Sequence, residues 1–323
     1  MIISYITEYN NTCGHTSNPE SLRLVGKEDK PKPNTERMGY LHSMDSDYWC
    51  CIVTRDGADT ISATIDSMIK QTAPPKFVVV VNDGSADNTE EIVKQKSEIF
   101  QSIYVVRTNS KARDIRRVPK LLNFGLDYAK KLPKTSYMMV SGDDNELALN
   151  YSEKIMERMD GDQKLVVASG DWLSSRGRSN QMPHGGGRFV KTSFMEQIGG
   201  KYPVAYGWET WLLYKAMEMG YKVKLYADLR YVHLRPFHPG NLFGWGRAMY
   251  SLGFPTYFVF MRFLVNFLWS RRGTQSMKAS VTMIVGYLSA KLNPDAVKGM
   301  LIEDEGLKTF VRRFSATRLT RLL

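Results

Sequence analysis

The sequence predicts an α/β layered domain built on a mostly parallel sheet. Three observations carry this: short apolar runs recurring between residues 48 and 233, segments of helical apolar spacing between them, and acid-bearing loops directly after the runs. With 43% apolar residues, 24% charged residues, 25 Gly and 13 Pro, the composition is globular. It excludes a wholly disordered, collagen-like or coiled-coil chain.

The elements follow in order. Residues 1–47 form a first region. From Asn10 to Ser46 it is polar, carries Pro19, Pro31 and Pro33, and reads as a loop-rich arm. Tyr48–Thr54 (YWCCIVT) is an apolar, aromatic-rich run ending at a charged loop, a buried strand. Asp59–Gln71 places Ile61, Ile65, Met68 and Ile69 at helical spacing. Phe77–Val81 (FVVVV) is the strongest strand signal of the chain. Asp87 or Asn88 then caps a helix with Glu90 and Glu91 in its first turn, where acids favour the helix dipole. Ile103–Val106 reads as a strand, Val118–Lys131 as a helix, and Tyr137–Val140 (YMMV), Leu165–Ser169 and Leu225–Tyr231 as strands. From residue 238 to 323 the chain is rich in Phe, Leu, Met, Arg and Lys and reads as several helices, some amphipathic. The expected division is an arm over 1–47, an α/β domain over 48–237 and a helical extension over 238–323.

In parallel α/β sheets ligands bind beyond the carboxyl ends of the strands, which singles out the loops after Thr54, Val81 and Val140. After the FVVVV strand comes Asn82-Asp83-Gly84-Ser85-Ala86-Asp87-Asn88-Thr89, with Asp83 able to reach a ribose or base and Gly84 allowing a sharp exit. Taken alone, an Asx turn with an N-cap explains this loop equally well. After YMMV comes Ser141-Gly142-Asp143-Asp144-Asn145. Adjacent carboxylates with no Lys or Arg beside them are costly unless solvated or neutralised, and a hard divalent cation that also accepts phosphate oxygens would neutralise them. Plain acidic capping of a helix is the alternative. A third signal is Tyr206-Gly207-Trp208-Glu209-Thr210-Trp211-Leu212-Leu213, where the single acid, Glu209, lies among aromatics at a helix start, a setting that suits a general base, an ordinary acid of a helix N-terminus being the alternative.

The order and spacing of these three motifs, with the helix ending at Gly220-Tyr221, closely resemble the family 2 glycosyltransferases, inverting enzymes that use nucleotide-sugar donors. The resemblance covers about Tyr48–His233 and implies a GT-A (Rossmann-like) fold. It implies that Thr54 and Asp83 hold the nucleoside, and that Lys120 and Asn123, in Lys120-Leu121-Leu122-Asn123-Phe124-Gly125, belong to the family's Asn-x-Gly helix over the donor. It also implies that Asp143, followed by Asp144, binds Mn2+ or Mg2+ and the donor diphosphate, and that Glu209 is the catalytic base. His233 is similar to a metal- or diphosphate-binding His of many such enzymes; a structural His is the alternative. Two departures stand out: Ser141 replaces the first Asp of the Asp-x-Asp motif, and Glu209 is the only acid near the acceptor. The implied function is metal-dependent inverting transfer of a sugar from a nucleotide diphosphate to a hydroxyl acceptor, in glycan, glycolipid or polysaccharide assembly. Arg176, Arg178 and Arg188 flank the Gly-rich His184-Gly185-Gly186-Gly187, read as a mobile loop over the donor or acceptor.

The formal net charge is +11, and between Arg230 and Leu323 there are fourteen Lys or Arg against four Asp or Glu. This basic region, interleaved with aromatics around residues 243–269, is expected to lie on an anionic membrane surface near a lipid-linked acceptor. Packing on the catalytic domain or a second subunit is the alternative. No run reaches the roughly 18 apolar residues a membrane-crossing helix needs. Met1–Ile6 lacks a basic n-region and does not read as a signal peptide. Three Cys, two adjacent in an apolar run, make no disulfide framework, and Cys13-Gly14-His15 makes no metal site. The expected location is cytoplasmic, peripheral at the membrane face. Nucleic-acid binding would account for the charge but not for acids at strand ends, and no nucleic-acid-binding module is present. A Rossmann dehydrogenase lacks its Gly-x-Gly-x-x-Gly here. A sugar nucleotidyltransferase is the nearest rival, although Arg55-Asp56-Gly57 is a poor version of its Gly-rich loop.

Overall fold

The computed structural model describes residues 46–108, 116–172, 182–236, 241–269 and 274–320. The arm up to residue 45, Arg176 and Arg178, and Arg271 and Arg272 lie outside the described residues.

The element order is β1 (Tyr48–Thr54), α1 (Ile61–Ile69), β2 (Phe77–Asn82), α2 (Thr89–Ile99), β3 (Ile103–Arg107), α3 (Arg117–Ala129), β4 (Tyr137–Gly142), β5 (Asn145–Leu147), α4 (Tyr151–Asp160) and β6 (Leu165–Trp172). It continues with β7 (Arg188–Lys191), α5 (Thr192–Gln197), α6 (Trp208–Glu218), β8 (Lys222–His233), α7 (Leu242–Ser251), α8 (Thr256–Trp269), α9 (Thr274–Leu292), a 3-10 turn at Pro294–Val297 and α10 (Glu305–Thr320). The eight strands form one sheet in the order β3-β2-β1-β4-β7-β6-β8-β5. The half from β3 to β4 is parallel. In the other half β7 runs antiparallel to both β4 and β6, and β5 antiparallel to β8, with β6 and β8 parallel.

Residues alternate between the faces of a strand, and in β1 and β2 both sets are buried. Trp49, Cys51, Val79 and Val81 enter one core cluster with α3 and α6, whereas Tyr48, Cys50, Ile52, Val78 and Val80 enter the other with α1 and α4. That two-sided burial is why these runs read as unbroken apolar stretches. The adjacent cysteines therefore face opposite layers, and burial pushes the Cys51 thiol up to about 12, a poor nucleophile.

The structure adds β5, β7, α4 and α5, which the sequence reading did not contain. The Gly-rich stretch is also corrected: Arg188 is the first residue of β7 and is buried in the domain, so it is no part of a mobile loop. The C-terminal helices are not detached from the sheet. Met249, Leu252, Phe258, Met283, Tyr287, Leu307 and Val311 share the core cluster that contains α6. Part of the apolar stripe therefore packs on the layer that holds α6.

Candidate active site

The carboxyl ends of β1, β2 and β4 converge, because the three strands are neighbours and parallel. Thr54, at the end of β1, donates from Oγ1 to Asp143 Oδ2 at 2.6 Å. The backbone N–H of Asp83 donates to the Thr54 carbonyl at 3.0 Å. Three of the residues singled out by sequence thus meet at one edge.

Asp83 is fully buried and its carboxylate is held on both oxygens. Thr108 donates to Oδ1 at 2.7 Å, Arg117 bonds Oδ2, and Arg55 stands 3.8 Å from Oδ2. The sequence reading contained neither arginine as a partner.

Asp143 also accepts from Arg235 Nη1 at 3.0 Å, and Arg235 pairs with Asp59 at 2.6 Å. Burial is the largest influence on the Asp143 carboxyl and holds it above the usual carboxylate range, Asp144 adding to the rise and Thr54 and Arg235 opposing it. Asp144 Oδ2 lies 3.6 Å from His233 Nδ1, and Asn145 pairs with His233 across the β5–β8 ladder. Asp143, Asp144 and His233 are hard oxygen donors and an imidazole. Among the described residues, though, no three His, Cys, Asp or Glu side chains are grouped as a metal cage. An ion held by one or two carboxylates and completed by substrate phosphates is the kind this donor set fits.

Glu209 stands in the first turn of α6, after Gly207 in the left-handed conformation (φ 83°). Its surroundings are not the apolar ones its neighbours in sequence implied. The side chain is 40% exposed and accepts from Arg188 Nη2 at 2.8 Å. The Pro183–Gly187 loop lies against this acid and against Asn145, the residue after the acid pair. A Cβ on Gly185 would stand 2.5 Å from Glu209 Oε1, and one on Gly186 would stand 2.9 Å from Asn145 Nδ2. Neighbouring residues of one loop thus meet Glu209 and Asn145.

Two residues expected to bind the donor, Lys120 and Asn123, lie on α3. The Asn123 amide bonds both polar groups of the Tyr202 backbone, donating to its carbonyl at 2.9 Å and accepting from its N–H at 2.8 Å. Gly125 lets α3 lie against β1, since a Cβ there would stand 2.5 Å from Cys51 Sγ. The Asn-x-Gly pattern therefore docks a helix. Lys120 is exposed on α3.

The profile of glycosyl transferase family 2 matches residues 49–218, just over half of the chain. The chain belongs to that family. Its fold is shared with GT-A glycosyltransferases of known structure. Mannosyltransferase PcManGT from Pyrobaculum calidifontis, in complex with GDP-Man and Mn2+, is 14% identical over 85% of this chain and 86% of its own, with a TM-score of 0.50. S. aureus TarS 1-349 in complex with UDP-GlcNAc is 13% identical over 76% of this chain and 73% of its own, with a TM-score of 0.51. GalNAc-T7 with UDP, GalNAc and Mn2+ is 13% identical over 79% of this chain and 58% of its own, with a TM-score of 0.52. This family 2 chain spans 43% of the length of another TarS structure. No curated protein sequence matches it.

Proposed function

We propose that this protein transfers a sugar, with inversion, from a nucleotide-diphosphate donor to a hydroxyl acceptor in glycan, glycolipid or polysaccharide assembly. The observation that carries this reading is the Pro183–Gly187 loop, whose Gly185 meets Glu209 and whose Gly186 meets Asn145, the residue after Asp143 and Asp144. Glu209 takes the acceptor hydroxyl proton. The freed oxygen forms its bond to the anomeric carbon on the face opposite the diphosphate, whose own bond to that carbon breaks. Thr54 orients Asp143, and Arg235, bonded to Asp143, would meet the charge that gathers on a leaving diphosphate. Asp143, Asp144 and His233 would hold a Mn2+ or Mg2+ ion, which when bound would supply Lewis-acid stabilisation of the leaving group. Asp83 and its two arginines edge the nucleoside end.

The partner reading is an anionic membrane surface carrying a lipid-linked acceptor, with the protein peripheral on the cytoplasmic side. No helix among the described residues is long and apolar enough to cross a membrane. Support comes from the outward faces of α8 and α9, taken up below.

The test is to incubate the protein with Mn2+ and a panel of UDP- and GDP-sugars. Release of nucleoside diphosphate is expected. Release of pyrophosphate from a nucleoside triphosphate and a sugar 1-phosphate, or of sugar 1-phosphate from a nucleotide sugar given pyrophosphate, would establish nucleotidyl transfer instead. Glu209→Gln should lower transfer by about 10²–10⁴-fold in a protein that stays folded but melts lower, because buried Arg188 loses its charge partner; wild-type turnover would remove Glu209 from the mechanism.

A further inference from the structure

Arg188 is among the most buried charges near the site, with 3% of its side chain exposed. A guanidinium is held in such a place only if its donors are satisfied and its charge is met. Nε donates to the His184 carbonyl at 2.8 Å, and Nη2 to the Pro183 carbonyl at 3.2 Å and to Glu209 Oε1 at 2.8 Å. Glu209 is the carboxylate partner recorded for it, and the other two partners belong to the loop that wraps Glu209.

That loop is itself fastened on the far side. His184 Nε2 lies 3.2 Å from Asp171 Oδ1, and the His184 N–H donates to Ser169 Oγ at 2.9 Å, both partners being on β6. Tyr151 Oη donates to the Gly187 carbonyl at 2.8 Å. The loop, β6 and α4 therefore form a fixed frame from which one guanidinium reaches out to one partly exposed carboxylate.

We propose that Arg188 is a positioning residue for the transfer reaction: it fixes the Glu209 carboxylate, by charge and by geometry, against the Pro183–Gly187 loop. The inference rests on Glu209 being the base. Arg188 presents its charge to Oε1, and the Glu209 side chain, 40% exposed, stays open to an acceptor hydroxyl. A displacement of about 1 Å in such a group can cost about a hundredfold in rate.

The experiment measures donor-saturated kcat and acceptor KM for Glu209→Gln, Arg188→Met, Arg188→Lys and the double variant Arg188→Met/Glu209→Gln, each with a melting curve. Arg188→Met is expected to lose about a hundredfold in kcat with KM within a few-fold. Guanidinium ion should restore part of that loss, and urea at equal concentration should not. The double variant should be no slower than Glu209→Gln alone. Wild-type kcat in a folded Arg188→Met, or effects that multiply in the double variant, would overturn the proposal. Where Arg188→Met does not fold, Arg188→Lys decides: it keeps the charge but not the fork, so reduced kcat at an unchanged melting point supports the proposal, and wild-type kcat refutes it. An active Glu209→Gln would instead remove the base assignment itself.

Discussion

Asp143 is a buried carboxyl held above the usual carboxylate range, and that shift carries a sign for stability. In the unfolded chain an aspartate titrates near 3.9. As pH rises past that value the unfolded chain ionises first, so stability declines until the folded group has ionised too. Asp143→Asn removes the cost, and Arg235 keeps Asp59 as its principal partner. The expected outcome is a melting point at pH 7 no lower than that of the wild type, with the advantage fading at acid pH, and a loss of transfer of about 10²–10³-fold. Melting curves across pH and an initial-rate assay check both halves, and a clear destabilisation at pH 7 would contradict this. Gly185 makes a second residue-scale prediction. A Cβ there meets the far end of the Glu209 side chain, not backbone, so Gly185→Ala should keep its melting point while kcat falls at least tenfold. That pairing separates displacement of the base from unfolding.

At the scale of elements, the packing of the C-terminal helices on each other rests on glycine contacts. A Cβ on Gly246 of α7 would overlap the Met283 carbonyl of α9, and one on Gly286 of α9 would overlap the Phe243 carbonyl of α7. Backbone cannot give as a side-chain tip can, so Gly246→Ala must push the two helices apart. A destabilisation of at least about 1–3 kcal/mol is expected, read as a lower melting point in thermal denaturation. The elements that were legible in sequence are those with a strong local pattern. Phe77–Val81 reads as a strand because both faces of β2 are buried. The helix of α1 reads from Ile61, Ile65 and Met68, all buried on one side. By contrast β7, four residues after three glycines, has no run long enough to show a period, and its Arg188 looked like loop. The same residue, followed by Phe189 and Val190, was the one available hint of a strand. The Asn123–Gly125 pattern was visible, yet its contact with Tyr202, 79 positions away, was not.

On the whole molecule, α8 turns Tyr257, Phe260 and Leu264 outward at helical spacing, and α9 does the same with Val281, Val285 and Leu292, beginning from exposed Lys278. These residues contribute nothing to the core, whose share of the same helices is Phe258, Val259, Met283 and Tyr287. An apolar outward stripe with basic residues fits an anionic headgroup layer. Phe260→Asp with Val285→Asp should leave the melting point unchanged and abolish flotation with vesicles containing anionic lipid. Flotation of the wild type should weaken with added salt. Equal flotation of variant and wild type would show that these faces do not meet the bilayer.

The sequence by itself determined the strongly patterned strands and helices over residues 48–233, the acids at the strand ends and the family. Each of these is written in local periodicity or in motifs a few residues long. Only the tertiary structure decided that Arg188 meets Glu209, that Arg235 joins Asp59 to Asp143, that Arg117 holds Asp83 and that Asn123 docks a helix. Such pairs are 21 to 176 positions apart. No local period encodes them: they exist because packing a sheet between two apolar layers brings distant chain ends to one edge, where a buried charge must find its partner.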